Sequence, residues 1–161
     1  MATDKFIKLK ELTLKHPEKG ILSFVADGVI PMWSPVVLVG PAPGESLPRV
    51  STTNTINNRR VIGIAVGGTG DVAGTGNASD SAGGVIDVAI IGTGAITKCI
   101  VNGATENISI GDLLIAGGSP GHAVNATSIT LNEDTYTLAK ALQSSSINGD
   151  TLLVILMGGG R

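Results

Sequence analysis

The chain has 161 residues, 13 acids against 11 bases, and a formal net charge of −2. That length suits one domain, or one domain plus an arm, and the near-neutral balance gives the chain as a whole no pull towards nucleic acid. The single cysteine, Cys99, excludes an intrachain disulfide framework and a multi-cysteine zinc site.

Residues 1–19 open with two short polar/apolar alternations, Ile7/Leu9 and Leu12/Leu14, and end after Pro17. Period two predicts an extended arm with one apolar side. Residues 1–20 carry five lysines against three acids, leaving six bases and ten acids for the rest, so this arm is locally basic. It lacks the apolar run of a secretory signal, and no apolar run in the chain is long enough for a membrane helix. The sequence therefore predicts a soluble protein made in a cytoplasm.

From Gly20 the pattern becomes strand, turn, strand. Strands are expected at 21–26, 36–40 and 60–66, with a proline-bracketed bend at 29–35 and a proline-rich loop at 41–48. Residues 67–84 hold seven glycines and almost no large apolar side chain. Such a stretch buries too little surface to offset its ordering entropy, which predicts an exposed, mobile loop. The segments 85–92 and 95–101 flank Gly92-Thr93-Gly94 and predict a hairpin. Short strands continue to 157; residues 135–146 have the composition for one helical turn. Gly111-Asp112-Leu113-Leu114-Ile115 is echoed weakly by Gly149-Asp150-Thr151-Leu152-Leu153. Only four residues are aromatic (Phe6, Phe24, Trp33, Tyr136), so the core must be Val, Ile, Leu and Ala. Many short strands with frequent turns predict an all-β fold: a compact barrel or sandwich over 20–161, with at most one short helix.

Chemistry is sparse. Gly117-Gly118-Ser119-Pro120-Gly121 fits the G-x-S-x-G pattern of a nucleophile elbow. Pro120, however, follows the serine and has no N–H to offer an oxyanion, and nothing downstream reads as a helix. His122 stands three residues away, whereas an elbow serine meets a histidine from a distant loop. The segment predicts a turn. His16 and His122 lack companions at metal-ligand spacing, no phosphate-binding loop is present, and Cys99 falls among apolar neighbours as a buried thiol. Scattered aromatics cannot form a nucleic-acid stacking platform. No catalytic residue, cofactor site or metal site is predicted. Trp33, between two prolines, is either a core plug or an anchor at a subunit or partner contact.

The order of motifs resembles the small head-decoration (capsid cement) proteins of tailed phages and related viruses. The features that carry it are the polar arm, ADGVIPMWSPVVL, RVIGIAVGG, VIDVAIIG with AITKCIV, IGDLLIAGGSPGHAV, and the closing GDTLLVILMGG. This resemblance covers most of residues 20–158. The serine-proline turn and the long glycine segment depart from the family's pattern. Membership would imply a barrel-like or tulip-like domain forming homotrimers on the exterior of a virion, stabilising the shell by binding the major capsid protein. Phe6, Ile7, Leu9, Leu12 and Leu14 of the arm, with Trp33, are the expected capsid or subunit contacts, without nucleic acid or membrane as partner. An extended arm can add a strand to a neighbour's sheet edge. The alternative is a β-rich binding module of a tail fibre or surface layer that recognises a ligand or glycan, against which the scarcity of aromatics counts.

Overall fold

The computed structural model describes residues 20–68, 75–128 and 135–158. Phe6, Ile7, Leu9, Leu12 and Leu14, and positions 69–74 of the glycine-rich segment, lie outside the described residues. Among the described residues twelve strands run in chain order: β1 (Ile21–Asp27), β2 (Ile30–Pro31), β3 (Pro35–Val39), β4 (Arg49–Ser51), β5 (Val61–Gly68), β6 (Asn77–Ser79), β7 (Ala82–Ile90), β8 (Ile96–Asn102), β9 (Leu113–Ala116), β10 (Ala123–Asn125), β11 (Ala139–Ala141) and β12 (Asn148–Leu156). Among the described residues one 3-10 turn, Ala126–Ser128, follows β10.

The fold is all-β, as the strand spacing predicts, but it closes twice. One five-stranded barrel has the order β1-β4-β3-β5-β7 and a second has β10-β8-β12-β11-β9, while β2 and β6 form a small separate ribbon. Closure leaves few free strand edges, which removes the usual template for unwanted pairing.

The two barrels have the same topology. In the first, β1 runs parallel to β4 and antiparallel to β7; in the second, β8 runs parallel to β10 and antiparallel to β12. The remaining neighbours correspond likewise: β3 with β9, β5 with β11. The register corresponds residue by residue. Ile21, Leu22, Ser23 and Phe24 face Ala89, Val88, Asp87 and Ile86; Ile96, Thr97, Lys98 and Cys99 face Ile155, Val154, Leu153 and Leu152. Hydrogen bonds outside the ladders repeat too. Ile90 N–H to Gly20 O matches Leu156 N–H to Ala95 O, and Ile91 N–H to Ile62 O matches Met157 N–H to Leu138 O. The chain is a tandem repeat of one barrel, and the β2–β6 pairing of the first copy is matched in the second by a single bridge between Ile108 and Ser145. The Gly-Asp echo between 111–115 and 149–154 is a different matter, since it aligns β9 with β12, which are not equivalent.

Three expectations are corrected. Residues 85–101 are not a hairpin: β7 pairs with β1 and β5, β8 with β12 and β10. Gly92-Thr93-Gly94 is instead the crossover between barrels, with both glycines at positive φ, a geometry that serves a crossover as readily as a hairpin. The segment around 139–141 is strand, not a helical turn, because Ala139 and Ala141 are needed as small inward residues between β9 and β12. Within 67–84, the described residues include β6 and the start of β7, and Ala78 and Ser79 are fully buried. Gly68 makes that possible: a Cβ there would collide with the carbonyl oxygen of Ala78.

The cores follow the repeat. Ala26, Val36, Val50, Ala65, Ile86 and Val88 cluster in the first barrel. A larger cluster fills the second with Cys99, Val101, Leu114, Leu138, Leu152 and Val154, and extends across the junction to Val37, Val61, Ile64 and Ala89 of the first. Burial of this aliphatic set, at roughly 1.5–3 kcal/mol per large side chain, holds the two barrels together as well as each one closed.

Candidate interaction surface

The serine-histidine stretch is a turn. Pro120 and Gly121 (φ 72) occupy its middle, and His122 N–H donates to Ser119 O at 3.1 Å, the pattern of a type II turn. His122 Nδ1 lies 2.8 Å from Pro120 O, and Ser119 Oγ accepts a long 3.4 Å bond from Asn102. The histidine therefore faces the backbone and not the serine. The first barrel contains the same turn: Ala42-Pro43-Gly44-Glu45, with Gly44 at φ 81 and Glu45 N–H to Ala42 O at 2.9 Å. Cys99 is fully buried, and burial pushes its thiol well above the ordinary range, leaving it inert as a nucleophile. Among the described residues no group of three His, Cys, Asp or Glu could hold a metal ion.

What the molecule offers instead is surface, and it is organised by the junction. The loop after β4 grips the second barrel's turn: Gly121 N–H donates to Thr53 O, and Asn57 N–H donates to Ala116 O. A Cβ on Gly117 would stand 2.5 Å from the backbone of Ile56, and one on Gly121 would stand 2.8 Å from Ser34 Oγ. Gly117 is present because two backbones meet there, and Gly121 because the Ser34 and Thr52 side chains press on it in a left-handed turn.

Trp33 lies at this junction, half-buried. Its N–H donates to Ala65 O in β5, and its carbonyl accepts from Ile100 N–H in β8. Lys98 Nζ stands 5.7 Å from the centre of its ring, within cation–π range. The backbone of Trp33 thus joins the two barrels, and its ring stays partly open beside β8. Its φ is 69, in the left-handed region that a bulky residue avoids. The repeat explains the geometry. Gly111 (φ 94) stands at the matching position of the second barrel, where its N–H donates to Ala141 O as that of Trp33 does to Ala65 O. A tryptophan therefore occupies a glycine position, at a cost of about 1–2 kcal/mol, which marks the ring as worth placing there.

The neighbouring outer faces differ between barrels. On the first, Ser23 Oγ donates to Asp87 Oδ1 at 2.8 Å. The matching pair on the second is Lys98 opposite Leu153. Around it Ile96 (65% exposed), Ile110 (70%), Leu142 (38%) and Met157 (40%) remain open. Alternation along β8 and β12 carries a signal of this face, but only the barrel closure decides which side is outside.

No family model matches the chain, and no curated protein matches it in sequence. Among solved structures it is similar to the N base of head fiber gp8.5 in bacteriophage phi29, with a TM-score of 0.53 and 16% identity over 88% of this chain and 98% of that one. At that identity the likeness establishes a shared fold.

Proposed function

We propose that this chain is a non-catalytic structural component of a phage virion, a base module that seats a fibre-like projection on the outside of the head. The observation that carries the reading is the correspondence with nearly the whole length of the gp8.5 N base. The surface agrees with it: an inert thiol, a serine-histidine pair turned apart, and apolar side chains on the outside of a closed barrel. The fold likeness favours a fibre base over a plain cement protein, so the alternative of a fibre module is the better supported of the two. Recognition of a glycan has less behind it, since Trp33 is the one tryptophan and already carries Lys98 over its ring.

In this reading the arm supplies the contact with the major capsid protein. Ile7, Leu9, Leu12 and Leu14 fill pockets while the main chain pairs with a capsid strand edge, and Phe6 and Trp33 add apolar area. The module acts as a homotrimer, so that several modest contacts combine through effective concentration. The test is co-sedimentation of the full-length protein with heads that lack it. Binding is expected, and serine at all four aliphatic arm positions should weaken it at least ~10-fold. Unchanged binding by that variant would remove the arm from the account; no binding by the natural chain would remove the head.

A further inference from the structure

The sequence holds two Asn-Gly dipeptides, Asn102-Gly103 and Asn148-Gly149, and the ladder of the second barrel sets their asparagines opposite each other. An asparagine before glycine is chemically labile, because no Cβ on the next residue keeps the carboxamide away from the following backbone nitrogen. The fold treats the two pairs in opposite ways. Asn102 is 7% exposed, its Oδ1 accepts from Ala104 N–H at 3.2 Å, and its Nδ2 donates to Ser119 Oγ. Gly103 N–H donates to Ile147 O at 3.0 Å, and a Cβ on Gly103 would stand 2.7 Å from Ser145 O. That carboxamide is held and that nitrogen is occupied. Asn148 and Gly149, by contrast, are both exposed. Gly149 is the extra residue of a bulge: Asn148 pairs with Asn102 and Asp150 with Val101, which leaves Gly149 without a partner in the ladder. Its φ is 79, and among the described residues only His122 Nε2, at 3.9 Å, comes near the place of a Cβ. Ser119 of the Pro-Gly turn thus bonds one asparagine, while His122 of the same turn stands beside the open pair.

We propose that Asn148 is a self-modifying site, converted in the folded protein to aspartate and isoaspartate while Asn102 is protected. The Gly149 nitrogen attacks Asn148 Cγ and closes a succinimide ring. The Cγ–Nδ2 bond breaks, and ammonia leaves with the proton that Gly149 N–H gives up. Water then opens the ring at one of its two carbonyls: at Cγ it restores the peptide bond and leaves aspartate, at the main-chain carbon it leaves isoaspartate. Either product adds a carboxylate beside Asp150 and makes the net charge of −2 more negative. Isoaspartate also puts an extra methylene into the main chain at the first residue of β12, the strand held between β8 and β11 in the second barrel. The site is therefore an ageing mark on one barrel, set at its one bulge against β8, and it does not depend on the phage-head reading.

The test is incubation of the purified full-length protein at mildly alkaline pH, followed by ion exchange and by peptide mapping with mass spectrometry. A more acidic species should accumulate, with aspartate and isoaspartate at position 148 and the amide retained at 102. Asn148→Gln, whose longer side chain closes a ring far more slowly, should keep its thermal transition and yield no such species. In guanidinium chloride the two asparagines of the natural chain should convert at comparable rates, because unfolding removes the hydrogen bonds and burial that shield Asn102. The proposal is overturned if position 148 keeps its amide in the folded protein for as long as the unfolded chain takes to convert. It is overturned equally if Asn102 converts alongside Asn148 in the folded protein, or if Asn148→Gln gains the acidic species as fast as the natural chain.

Discussion

The two barrels share a strand order, a register and a Pro-Gly turn, yet they use the same positions differently. Where the first has the hydrogen-bonded pair Ser23–Asp87 facing outward, the second has Lys98 and Leu153. Where the second has Gly111 in a left-handed turn, the first has Trp33. Where the second has Gly117 under the Thr55–Ile56 backbone, the first has Val39 at the matching position of the ladder. The differences at Trp33 and Gly117 fall at the barrel–barrel contact and the inward positions stay apolar, so the frame is held in common while surfaces diverge.

The sharpest way to break this comparison is to substitute a glycine pressed on the junction and a glycine in open space alike. Gly117→Ala should cost about 2–4 kcal/mol, because its Cβ meets the Ile56 backbone in a left-handed conformation. Gly40→Ala should change stability by no more than ~0.5 kcal/mol. Urea unfolding of both decides, and equal effects would mean that the junction is not the constraint. Cys99→Ser comes next: an extra hydroxyl demand in the second barrel's core should cost about 1–3 kcal/mol, and in the natural protein the thiol should react with a disulfide reagent only after unfolding.

Trp33→Gly restores the second barrel's solution in the first. Relief of about 1–2 kcal/mol of backbone strain should offset much of the lost ring contact, leaving a net loss well below the ~3–5 kcal/mol of an ordinary buried tryptophan deletion. A loss in that full range would make the ring a core element after all. Ser34→Ala is expected to be neutral or slightly stabilising, since among the described residues Ser34 Oγ is buried without a hydrogen-bond partner. The smallest effect concerns acid. The Ser145 hydroxyl, followed by the Thr151 N–H, holds the Asp150 carboxyl below its usual value. Its stabilisation is present above ~pH 4 and fades as pH falls through the lowered value. Because the group is almost fully solvated, Asp150→Asn should flatten the acid limb of stability only slightly.

Much of this frame can be read from the residues. Runs such as Ile21–Ala26 and Val85–Ile90 are β-branched and bounded by glycine, so their strand character and the all-β class follow from local physics. Partner choice does not. Gly92-Thr93-Gly94 has the chemistry of a hairpin turn, yet whether β7 folds back on β8 or on β1 depends on which closure buries more aliphatic surface over the whole chain. The repeat is equally hidden, because matching inward positions share apolar character and neither size nor identity: Phe24 answers Cys99, and Ile86 answers Leu152. A visible trace is Pro43-Gly44 against Pro120-Gly121, where the turn's backbone geometry favours particular residues. The left-handed backbone of Trp33 left no trace at all, since nothing in IPMWSP distinguishes a bend from a glycine site filled by tryptophan.

The most direct measurement is a cryo-electron microscopy reconstruction of heads lacking this protein, before and after the purified full-length chain is added. The account predicts new density on the outer surface of the shell in which paired lobes, one for each barrel, can be fitted. Heads that show no added density at saturating protein, or density confined to the interior or the tail, would contradict it.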